Sequence, residues 1–104
     1  MAADIEAVRA EARRYAAAAK AVTPIERAYL FGSYAKGEAR ELSDVDVAFF
    51  FHGLSDDEIY KFATQLFVLT IDFNAWLEPL AFSTSDLYTD NPFVNEILRT
   101  GVEL

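Results

Sequence analysis

The chain has 104 residues, no cysteine, and a net charge of −8 from 17 acidic and 9 basic side chains. That length supports one domain with one core, expected to span residues 1–104, and leaves little room to enclose a second substrate. The acidic balance without a basic run argues against a nucleic-acid partner, the missing cysteines exclude disulfides and thiolate metal sites, and no uncharged apolar stretch nears the ~18 residues of a membrane span.

Asp4, Glu6, Arg9 and Glu11 stand where a signal peptide needs an apolar core, so a cytoplasmic protein with no membrane contact is expected. Ile5, Val8, Ala12, Tyr15, Ala19 and Val22 recur at spacings of three and four. They predict an amphipathic helix over residues 3–20, ended by Thr23-Pro24, with its arginines on a solvated face. Ile25 to Phe31 reads as a strand buried on both faces. The run stops at Gly32-Ser33, where a short helix from Ser33 to Lys36 is expected before a charged crossing.

Asp44-Val45-Asp46 then heads a second strand through Phe50. His52-Gly53 breaks the pattern, and His52, the only histidine, reads as an ordinary loop residue. Ser55 and Glu58 have the spacing of a capping box, and Asp56 and Asp57 suit the start of the helix it opens. The stripe of Ile59, Phe62, Leu66 and Leu69, widened by Ala63, Phe67 and Thr70, marks core packing or a partner face. A strand follows over Phe73 to Phe82, with Glu78 before Pro79 pointing to an edge strand or a bulge. Ser83 to Asp86 reads as a turn. Asn91-Pro92 opens a last helix, Gly101 closes it, and Val102 to Leu104 forms a short final strand. This order fits an α/β domain with a mixed sheet and helices packed on one side.

The chemistry concentrates between Leu30 and Phe50. Side chains at i and i+2 of a strand share a face, so Asp44 and Asp46 place two carboxylates side by side, ~7 Å apart at the backbone. Such a pair suits Mg²⁺, which favours carboxylates together with substrate phosphates. Gly32 lets the backbone approach a ligand closely, the turn at Ser33 aims free N–H groups at phosphate oxygens, and Lys36 adds a positive charge. Glu78 is an acid inside an apolar run, costly to bury unless a cation pairs with it. It is the candidate third carboxylate, with Asp72 as competitor.

The pattern Gly-Ser-Tyr-Ala-Lys-Gly…Ser-Asp-Val-Asp-Val resembles the minimal nucleotidyltransferase domains of the DNA polymerase β-like superfamily, most closely over residues 28–50. The resemblance implies two metal-binding aspartates, here Asp44 and Asp46, and a Gly-Ser turn, here Gly32-Ser33, that holds a nucleoside triphosphate. It also implies a third acid just before a proline in a later strand, here Glu78. Lys36 stands where an arginine is also common, a small change for a point charge on phosphate.

As in the HEPN/MNT toxin–antitoxin pairs, the implied activity is Mg²⁺-dependent transfer of AMP from ATP to a hydroxyl of a helical HEPN-type partner. The alternatives are the catalytic subunit of a small-molecule, aminoglycoside-type nucleotidyltransferase, and a binding module of the same fold without turnover. Nine phenylalanines exceed what so small a core needs, so a partner or a second copy is expected to cover an apolar face.

Overall fold

The computed structural model describes residues 4–40 and 43–104. Ala3, where the first helix was expected to begin, and Glu41-Leu42 within the charged crossing lie outside the described residues. The elements in order are α1 (Ile5–Val22), β1 (Ile25–Phe31), α2 (Ser33–Lys36), β2 (Val45–Phe51), α3 (Asp56–Leu69), β3 (Leu77–Ser83), α4 (Pro92–Thr100) and β4 (Val102–Glu103). Single 3₁₀ turns at Thr70–Asp72 and Thr84–Leu87 flank β3.

The helix ends follow local chemistry. The Asp4 side chain accepts the Ala7 N–H at the start of α1, and the Thr23 hydroxyl donates to the Ala19 carbonyl at its end, before Pro24. Ser55 and Glu58 form the expected capping box on α3, and Asn91 caps α4 with Pro92 at its first turn. Gly101 is required by space. A Cβ there would strike the Ile97 carbonyl oxygen and come within 3.1 Å of the Leu30 carbonyl, so only glycine lets the chain leave α4 and enter β4.

The four strands lie in the order β3-β2-β1-β4, with β1 antiparallel to both neighbours and β2 parallel to β3. Two-residue alternation sorts the side chains. Ala28, Leu30, Val47, Phe49 and Phe51 meet Ala12, Tyr15, Ala16 and Ala19 of α1 and Ile59 and Leu66 of α3 on one face. Tyr15 knits this core together: its O–H donates to the Leu66 carbonyl at 2.7 Å, and its ring meets Phe49 and Phe73 edge-on at 5.6 and 5.3 Å. The two long helices thus share one side as expected. The short α4 closes the other, where Val94 and Ile97 pack on Tyr29, Ala48 and Phe50.

Two local expectations change. The strand foreseen from Phe73 starts at Leu77, because the Glu11 carboxylate takes the Asn74 and Ala75 amides at 2.6 and 3.4 Å and diverts them from the sheet. Phe67, on the α3 stripe expected to form core packing or a partner face, is 66% exposed, which leaves only the second reading at that position. It falls on an outer stripe with Tyr60, Val68 and Ile71, spaced seven, eight and eleven residues along the helix.

Candidate active site

β1 ends at Phe31, opposite Asp46 of β2 in the antiparallel register. Gly32 then turns with φ 73° and ψ −153°, a backbone conformation strained for any residue with a side chain. The turn also leaves no room for one, since a Cβ at Gly32 would collide with Asp46 Oδ2. The glycine brings bare backbone against the carboxylate. α2 follows for one turn, its Gly32 carbonyl accepting the Ala35 and Lys36 amides at 3.1 Å, and Gly37 ends it in the left-handed conformation at φ 75°. Among the described residues no side chain caps α2, which leaves the first amides of the turn available to donate.

The parallel register sets Glu78 beside Asp46 and on the same face, the one that α4 covers further along. Asp46 is half-buried there, and its carboxyl is pushed up from 3.8 to about 6, chiefly by burial and then by the charges of Glu78 and Asp44. Asp44 lies one residue ahead of the strand and is exposed. Glu78 is exposed as well, so the burial cost expected of an acid in that apolar run does not arise; the alternation of β3 turns Glu78 outward. Among the described residues no three acids or histidines converge into a ready-made metal cage. The acids instead form an open, oxygen-only set with more negative charge than Asp46 tolerates, a donor set suited to a hard divalent cation whose other ligands are phosphates and water.

Of the residues singled out from the sequence, Gly32, Ser33, Asp46 and Glu78 meet at one end of the sheet, with Asp44 at its rim. Lys36 stands to the side, its ammonium 3.8 Å from Glu96 Oε1 of α4. Asp72 lies in the 3₁₀ turn, five residues before β3 and outside the register that aligns Glu78. His52 is past the opposite end of β2, where Nδ1 is 3.0 Å from the Thr84 hydroxyl.

Sequence reasoning missed Arg9, assigned with the other arginines to a solvated face, and Glu11, noted only as a charge that a signal peptide would lack. The Arg9 guanidinium donates from Nε and Nη2 to the Tyr34 and Ala35 carbonyls, each at 3.0 Å, while Glu11 accepts from the chain entering β3. Arg13 and Arg14 are exposed, as expected. The one available signal was that Arg9 and Glu11 lie on the two flanks of the apolar stripe through Val8 and Ala12, and not on the outer face with Arg13 and Arg14.

Comparison with known proteins places residues 15–104 in a family model described as polymerase β, nucleotidyltransferase. Among solved structures, a Sulfolobus solfataricus protein provisionally described as a nucleotidyltransferase has a similar fold. It is 17% identical, with a TM-score of 0.59 over 89% of this chain and 75% of that one. A variant of the MntA-HpeT toxin–antitoxin is 18% identical, with a TM-score of 0.53 over 90% and 70% of the two chains. A toxin–antitoxin structure with AMP-PNP is 16% identical, with a TM-score of 0.51 over 97% and 72%. At these identities the likeness is one of fold. No curated protein matches.

Proposed function

The chain belongs to the polymerase β nucleotidyltransferase family, and from that premise we propose that it moves AMP from ATP to a hydroxyl on a helical HEPN-type protein partner. The observation that carries this reading is the meeting of Gly32 with Asp46, and of Asp46 with Glu78. A side-chain-free turn with free amides abuts an acid pair at one end of the sheet. Toxin–antitoxin structures of like fold, one with AMP-PNP, motivate the choice of ATP and of a protein acceptor. The outer stripe of α3 supports a protein rather than a small-molecule acceptor, because Tyr60, Phe67, Val68 and Ile71 expose apolar surface that a partner would cover.

In this reading the Gly32 and Ser33 amides donate to triphosphate oxygens, the Ser33 hydroxyl adds a further bond, and Lys36 contributes charge from the side. Asp44, Asp46 and Glu78 would hold Mg²⁺, which when bound would neutralise charge on the transferring phosphoryl group. Glu78 accepts the proton of the acceptor hydroxyl as that oxygen bonds to the α-phosphorus. The bond from this phosphorus to the pyrophosphate oxygen breaks on the opposite side.

Incubation of the chain with Mg²⁺, α-labelled ATP and an extract of its own host tests the proposal. Label on a protein of the extract, lost with Asp46→Asn, is expected. Label only on small molecules would favour the aminoglycoside-type alternative, and no label on either would favour a binding module.

A further inference from the structure

Two charged side chains on the second turn of α1 touch both banks of the candidate site. Arg9 is 22% exposed and spans the end of α2 with its planar fork, Nε on the Tyr34 carbonyl and Nη2 on the Ala35 carbonyl. Its remaining nitrogen, Nη1, lies 3.2 Å from Glu6 Oε1. Glu11 is 17% exposed and holds the Asn74 and Ala75 amides through Oε1. The next residue, Trp76, accepts the Val45 N–H at 2.7 Å, which ties this loop to the backbone between Asp44 and Asp46. Between the two held segments lies a cleft of about 170 Å³ lined by residues including Val8, Tyr34, Val45 and Trp76. Side-chain packing therefore does not fill the space between the banks.

We propose that Arg9 and Glu11 are positioning residues that fix the gap between the Gly32-Ser33 turn and the Asp46-Glu78 pair. The inference rests on the nucleotidyltransferase reading above. Two features separate it from a general contribution to stability. Beyond α1, each side chain bonds only to backbone, in a segment directly next to one half of the site. Its other contacts, Arg9 to Glu6 and Glu11 to Arg14, stay within its own helix. α2 is a single turn, too short to hold its own geometry without outside support. Arg9 thus governs the phosphate half and Glu11 the carboxylate half.

The division sets the experiment, carried out on the full chain at a temperature well below the melting transition. Arg9→Lys keeps the charge but loses the fork. Its Kd for Mg²⁺-ATP is expected to rise about tenfold, while its Kd for Mn²⁺ alone stays at the wild-type value. Glu11→Ala is expected to weaken Mn²⁺ binding by a similar factor. Glu11→Gln retains a carbonyl oxygen for the two amides and should restore wild-type binding. Wild-type affinities in both Arg9→Lys and Glu11→Ala, with only a lower melting temperature, would overturn the assignment and leave the residues as ordinary stabilising contacts. A wild-type chain that binds no Mg²⁺-ATP would instead overturn the nucleotidyltransferase reading on which the assignment rests.

Discussion

Replacing Asp46 by asparagine should make the metal-free protein more stable, and the structure gives both the size and the pH dependence of the effect. The Asp46 carboxyl rises from 3.8 in the open chain to about 6 in the fold. At ~1.4 kcal/mol per pH unit this corresponds to ~3 kcal/mol of penalty on the folded, ionised form. Asp46 is only half-buried, so screening by water brings the expected figure to ~1–2 kcal/mol. For a domain of this size that is a melting shift of ~5–10 °C.

The sign follows from proton binding. Between pH 4 and 6 the folded protein holds a proton that the unfolded chain has released, so stability falls as pH rises through that window and the full penalty applies above it. Asp46→Asn should therefore melt higher than wild type at pH 8 in EDTA, and the gap should close towards pH 4. Saturating Mg²⁺ should raise wild type and leave the variant unmoved. A variant no more stable than wild type at pH 8, or a gap that does not change with pH, would refute the reasoning.

Gly32→Ala forces a Cβ into the Asp46 carboxylate at a positive φ, and a loss of ~1–3 kcal/mol in urea unfolding is expected, together with loss of Mg²⁺-ATP binding by calorimetry. Glu78→Gln keeps shape and removes charge. ATP affinity should persist while the labelling rate falls by ~10²–10⁴, and unchanged labelling would return attention to Asp72.

Most of the site was legible because it rests on local rules. Gly32-Ser33 ending a strand and Asp44-x-Asp46 opening another are short patterns, and the parallel β2–β3 register then aligned Glu78 with Asp46. Pro79 pointed to an edge strand or a bulge, and the edge strand is what the fold shows, since among the described residues β3 has a neighbour on one side only. The elements from Asp56 to Leu69 and from Pro92 to Thr100 were set by caps that read from the sequence alone. What did not read was tertiary. Phe67 satisfies the same helical spacing as Leu66, and only the placement of α3 on the sheet decides which of the two is buried. Arg9 and Glu11 bond to backbone groups 25 and 63 residues away, and no local pattern encodes such partners.

On the proposed reading of a protein acceptor, the position of the outer α3 stripe limits how that acceptor could reach the carboxylates. α3 packs on the sheet face opposite Asp46, so a partner seated on it cannot lie over the site. α3 also connects the parallel strands β2 and β3, running back so that its last turn returns to the end of the sheet where Asp46 and Glu78 lie. Tyr60 and Val68 are ~12 Å apart along the axis of α3, at 1.5 Å per residue, and Ile71 follows in the 3₁₀ turn at the site end. Beyond Ile71, Trp76 is a further exposed apolar residue, directly before β3.

An acceptor would then come round the β3 edge, and the consequences of truncation should grade along the stripe. Tyr60→Ala should raise KM for the partner with kcat unchanged, because it removes contact area far from the reacting atoms. Ile71→Ala and Trp76→Ala should lower kcat as well, since a displacement of ~1 Å in the acceptor can cost ~10²-fold. Phe67→Glu, at the centre of the stripe, should abolish capture of the partner while shifting the chain's own stability by no more than ~0.5 kcal/mol. Equal KM effects at all three truncated positions with kcat untouched, or a larger kcat loss at Tyr60 than at Trp76, would show that the acceptor takes another route to Glu78.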